Sequence, residues 1–166
     1  MPPGMVAQWC QWLSSTPLST SIRQSDWWFS IIESVHVLGV TLMVGTIAIV
    51  DLRLLGWLLK REPVSSVTRA ILPWTWCGLV VMALSGALLF VSEAADAYRN
   101  TAFRIKSVLL VAAGLNALLF HRTILRSVSA WDRSPFTPVP ARRAAALSLV
   151  LWSAIVVCGR AIAYFH

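Results

Sequence analysis

From Trp27 to Val50 the chain runs for twenty-four residues with only two ionisable side chains, Glu33 and His36. A run of that length and apolarity can cross the hydrocarbon core of a bilayer as a tilted helix. Trp27 and Trp28 open it as aromatic anchors at one interface. Asp51 and Arg53 close it at the other, with Trp57 just beyond. Three further apolar runs follow, at about 67–91, 102–125 and 141–164. The pattern predicts an all-α integral membrane four-helix bundle.

Composition agrees, since charged residues make up only 13% of the chain, against about 25% in a soluble domain. The formal net charge of +7 does not read as a nucleic-acid signal. The basic residues gather at the ends of apolar runs, where membrane orientation and anionic headgroups explain them. Nine of the fourteen lysines and arginines fall in or beside the first and third loops. That bias predicts both termini on the outer side, the periplasm of a bacterial inner membrane.

Ahead of the bundle, residues 1–24 read as a separate element. Residues 4–15 are too short to span and carry Val6, Trp9, Cys10, Trp12 and Leu13. They predict a short amphipathic helix in the interface. Residues 16–24 read as a linker, after which Ser25 or Asp26 caps the first span. That span is expected to continue through Leu59, and Pro73 is a candidate kink in the second. No basic region leads into an apolar one at the N-terminus, so no cleavable signal peptide is expected. The cysteines Cys10, Cys77 and Cys158 form no CxxC or CxxCH motif. A covalently attached haem and a zinc ribbon are therefore not indicated. Cys77 and Cys158 read as small buried residues.

The chemistry lies in the polar groups inside the apolar runs. Glu33 and His36 stand three residues apart, on one helix face. An ionisable pair at membrane depth is costly unless it is paired, ligated or facing a cavity. Counting helical rise from the outer interface, Glu33 lies about 9 Å deep, His36 about 14 Å, and Lys106 and Arg160 about 6 Å. These four belong to one layer. His121 lies about 28 Å deep and His36 and His121 are a poor pair for one upright haem. His36 as axial ligand, with Lys106 or Arg160 holding propionates, suits the depths better. Lys106 could also serve as a second axial ligand if burial deprotonates it. The plainer readings are a packed Glu33–His36 pair, snorkelling by Lys106 and Arg160, and an interfacial His121 beside Arg122.

Two stretches carry a family resemblance. His36, Gly45 and Arg53 resemble the first helix of HemJ-type protoporphyrinogen oxidases and CopD-like membrane domains. The run FRIKSVLLVAAGLNALLFH, with Lys106 and His121, resembles a later helix of the same group. The HVLG…DLRLLG pattern also suggests a small four-span bacterial family. The resemblance implies a membrane haem-b protein with quinone-linked or oxygen-linked redox chemistry. It makes His36 the haem ligand and Lys106 its polar partner, while Glu33 and Asp51 depart from the pattern.

The expected function is therefore electron transfer or oxidoreduction at a b-type haem. The haem would be served by His36 (the metal ligand), Lys106, Arg160, Glu33 and His121, with a quinone or periplasmic redox partner. A small proton or ion transporter using Glu33 and His36 is the alternative, and a membrane anchor docking through the N-terminal helix is another. Small residues such as Gly39, Gly45, Gly78, Ser85, Gly86 and Gly114 allow close helix contact or a homo-oligomer.

Overall fold

The computed structural model describes residues 4–25, 27–124, 126, 128–132, 137–162 and 164. Their order is α1 (Met5–Ser14), α2 (Pro17–Gln24), α3 (Trp28–Leu55), α4 (Val64–Ser92) and α5 (Ala94–Arg99). Then come α6 (Thr101–Leu119), a π-helical turn (Phe120–Ile124), α7 (Val128–Trp131) and α8 (Val139–Ala161). The described residues are mostly helical, and none of them is in a strand. Helices α3, α4, α8 and α6 with its π turn are long and apolar enough to cross a membrane. The expected all-α bundle is what the chain forms.

Helix ends follow local chemistry. The Ser25 hydroxyl accepts from the Trp28 amide at 3.3 Å at the start of α3. Asp26, the other expected cap, lies outside the described residues, as does His166. α3 stops at Leu55 rather than Leu59, because Gly56 takes the left-handed conformation at φ 76°. The Gly56 and Trp57 amides then donate to the Arg53 and Leu52 carbonyls, a glycine stop. α4 runs unbroken through Pro73. The expected linker is instead mostly α2. Pro17 sits in its first turn, and the Thr16 hydroxyl accepts from the Ser19 amide at 3.3 Å. The hydroxyls that suggest a loop are acting as a cap and as ties to other helices.

α3 and α4 pack antiparallel and very close. A Cβ on Gly39 would stand 2.9 Å from the Met82 amide nitrogen, and one on Gly78 would stand 2.7 Å from that of Met43. Small residues let the two backbones meet where lipid offers no hydrophobic drive to association. Thr75 donates to Thr46 at 3.0 Å in the same seam. α6 is tied to α8 by the Asn116 side-chain amide, which donates to the Ala144 carbonyl at 3.1 Å. α3 also packs on α8, whereas α4 and α6 make at most marginal backbone contact. Backbone contacts thus link the four spans in the order α4, α3, α8, α6, while α4 and α6 meet through the side chains of Phe90 and Phe103.

Each end of the bundle is finished differently. At the end carrying the N-terminal helices, α1 lies on α5 and α2 on α4. The Ser19 hydroxyl donates to the last carbonyl of α4, Ser92, at 3.2 Å, and Arg23 donates to it at 3.4 Å. The Ala95 amide donates to the Ser14 hydroxyl at 3.0 Å. Cys10 is buried there, while Trp9 and Trp12, stacked edge to face, stay exposed. Cys77 is exposed on α4 and Cys158 half-buried, so the expectation of two buried cysteines fails. Cys77 shares a helix turn with Gly78 but points off the α3 seam.

At the opposite end Leu54, Val64, Ala141 and Ala145 form the tightest apolar cluster. Beside it, Asp132 accepts from the amide and the hydroxyl of Ser65 and so caps α4 from a distant part of the chain. Arg53 Nε donates to the Glu62 carbonyl at 2.7 Å. Burial opposes ionisation of Asp132. The bonds from Ser65 and Val64, together with the Arg53 charge, outweigh it and hold the carboxyl below its ordinary range.

Candidate functional site

His36 stands on the side of α3 between α4 and α8. Thr46 marks the direction of α4, and Asp51, about 140° round the helix, faces Ser148 of α8. His36 lies about 80° from Thr46, between the two. Its ring edge rests on α4, where a Cβ on Gly86 would come within 3.0 Å of Cε1. Glycine at 86 is therefore what lets the imidazole lie against α4.

The tautomer of His36 follows from its hydrogen bonds. Nδ1 lies 3.0 Å from the Ser85 hydroxyl oxygen. That hydroxyl has a single proton, which it donates to the Val81 carbonyl at 2.6 Å. The oxygen is left to accept, so Nδ1–H donates to it. The Met82 carbonyl, 3.4 Å from the same Ser85 oxygen, is a second acceptor for the ring N–H, and among the described residues Nε2 is left with its lone pair. This is the arrangement by which proteins orient an imidazole for a metal, through a fixed partner on the other ring nitrogen.

Lys106 projects from α6 toward α8. A Cβ on Gly159 would approach its Nζ to 3.4 Å, so a second glycine makes room for a second polar side chain. Lys106 acts electrostatically on His36. Counted from the helix starts, His36 is about 12 Å deep and Lys106 about 8 Å, which puts them in one layer. Among the described residues Lys106 has no carboxylate partner and no hydrogen bond, and Cys158 of α8 is the ionisable group that acts on it.

The layer has a roof. Phe90 of α4 and Phe103 of α6 stack with ring centroids 5.5 Å apart and planes 13° from parallel. They join α4 and α6, whose backbones make at most marginal contact. Gly114, further down α6, has open space where its Cβ would be.

The other expected site residues are placed elsewhere. Glu33 is exposed at the rim, lining a shallow groove with Ser34, Val37 and Leu38, yet close enough to act on His36. Arg160 is exposed on α8; it donates to the Tyr164 hydroxyl at 3.3 Å and lies over that ring. His121 sits exposed in the π turn, about 30 Å down from Thr101. The layer thus holds His36 and Lys106, with Glu33 at its margin and Arg160 and His121 outside it. Ser85, Gly86, Gly159, Phe90 and Phe103 complete it. None of them is a site residue by composition, and only the α3–α4 register makes Ser85 a partner of His36.

Ligand chemistry narrows from here. Among the described residues no group of three or more His, Cys, Asp or Glu converges to hold a bare metal ion. A macrocycle that brings its own four nitrogens needs from the protein only an axial donor and a cation for its carboxylates. His36 Nε2 and Lys106 are such a pair. Haem therefore fits the donors present, His36 Nε2 and Lys106.

These features define a multi-pass membrane protein with one polar layer among its four spans. The chain belongs to the family of unknown function DUF6644, whose model matches residues 24–165. No curated protein and no solved structure matches it.

Proposed function

We propose that this is a b-type haem-binding protein of the bacterial inner membrane that takes part in electron transfer or in quinone- or oxygen-linked oxidoreduction. The observation that carries the reading is the free Nε2 of His36, left unbonded by a Ser85 contact that fixes the ring from behind. Bound haem supplies one-electron chemistry at its iron. The chain does the rest. His36 would hold the iron through Nε2, and Ser85 holds the ring in one tautomer and orientation. Lys106 donates to a propionate, a strong interaction where water is scarce. Phe90 and Phe103 shield the site from the near aqueous phase. Glu33, at the rim, is placed to pass protons between that phase and the layer. This reading keeps the kinship with HemJ-type and CopD-like proteins as a proposal resting on His36 and Lys106. The termini face the periplasm by the distribution of basic residues, and electrons come from a quinone or a periplasmic protein. Most of each span faces outward, which suits self-association of several copies in the bilayer.

The test is an absorption spectrum of protein purified from haem-replete cells, beside His36→Ala and His121→Ala. Wild type and His121→Ala are expected to show a Soret band that moves on reduction with dithionite, and His36→Ala to lose it. Colourless wild-type protein overturns the proposal.

A further inference from the structure

Asp51 plays no part in the layer around His36. It is 6% exposed, and its Oδ2 is enclosed without a hydrogen-bond partner. It faces α8, where the hydroxyl of the buried Ser148 is its hydrogen-bond partner. Among the described residues no charged group acts on it. Arg53, two residues along α3, is turned to the Glu62 carbonyl and toward Asp132. Arg69 on α4, His121 and Arg122 on the π turn, and Arg142 and Arg143 on α8 are all exposed. Thr68 stands opposite Arg53 in the α3–α4 register and is neutral. A carboxylate enclosed with one hydroxyl and no cation is far less favourable than a neutral acid with one bare carbonyl oxygen.

We propose that Asp51 and Ser148 form a proton-binding site. The carboxyl is held as the neutral acid, with Oδ1 sharing the hydrogen bond with the Ser148 hydroxyl and Oδ2 as the bare carbonyl oxygen. The proton exchanges with the aqueous phase at the α3–α4 loop, because Asp51 lies about 6 Å of helix from Leu55. In the other direction the same stripe of α3 passes Ile47, Val44, Val40 and Val37 before reaching Glu33, five turns away. None of these can pass a proton. Along this stripe the proton goes no further, and the site acts as a local proton store at that end of the bundle. It is independent of haem binding.

The test is infrared difference spectroscopy of the full-length protein in lipid bilayers at neutral pH. Wild type minus Asp51→Asn is expected to show the carbonyl stretch of a protonated carboxylic acid. Ser148→Ala should move that band up in frequency by removing its hydrogen bond, and transfer to heavy water should move it down. An acid band absent from wild type, or one that survives Asp51→Asn, overturns the proposal. Should Asp51→Asn fail to fold, Ser148→Ala decides alone: a band that does not move belongs to another carboxyl and overturns it too.

Discussion

At the scale of single residues, what singles out His36 is the commitment of the Ser85 proton to Val81. Many membrane helices bury a histidine; here a serine oxygen with only lone pairs to offer dictates which ring nitrogen is free. Ser85→Ala should therefore weaken haem binding by about 10–100-fold, the usual penalty for losing such an outer contact, as read by haem titration of the apoprotein. Gly86→Ala should act more bluntly, because its new methyl meets Cε1 at 3.0 Å and must push the ring away. His36, Lys106 and Glu33 were legible as polar groups out of place in apolar runs. Ser85 and Gly86 were legible only as small residues, because serine and glycine on a membrane helix read the same whether they admit a backbone or a ligand-bearing ring. Arg160 shared the right depth but not the right direction, and helical rise alone carries no direction.

At the scale of elements, the α3–α4 pair is set by two glycines whose missing Cβ atoms would strike backbone. Gly78→Ala should destabilise the protein by about 1–3 kcal/mol, the usual range for overpacking. Gly45→Ala, with nothing within 4 Å, should leave it unchanged. Denaturation in mixed micelles distinguishes the two. The Asp132 cap on α4 lies outside the spans and gives a pH signature. Its folded carboxyl titrates below the ordinary range, so as pH falls past about 4 the unfolded chain takes up the proton first. The stabilisation is complete at neutral pH and is lost as pH drops through the folded value. Asp132→Ala should cost about 0.5–2 kcal/mol at neutral pH. The gap from wild type should narrow in acid when unfolding midpoints are compared across pH. The spans themselves were plain in the sequence, since hydropathy over twenty residues leaves little choice. The stop at Gly56 is readable from the glycine, though the apolar residues beyond it argue for a longer helix. α2 was hidden because threonine and serine suggest a loop until one of them is seen capping.

At the scale of the molecule, the four spans are linked by backbone contact in the order α4, α3, α8, α6, and α4 and α6 meet through side chains. No sequence pattern announces that order, since an apolar face looks alike toward lipid or a neighbour. The Phe90–Phe103 stack joins α4 and α6 at one end of the layer that holds His36 and Lys106. Phe90→Ala paired with Phe103→Ala should leave haem bound yet speed its loss to an external haem acceptor, followed by absorbance. The most direct measurement is the resonance Raman spectrum of the reduced protein. An iron–histidine stretch should be present in wild type, absent in His36→Ala, and lower in frequency in Ser85→Ala, where Nδ1–H has lost its serine acceptor. A stretch that persists without His36, or one indifferent to Ser85, would contradict a haem held by an imidazole fixed from behind by Ser85.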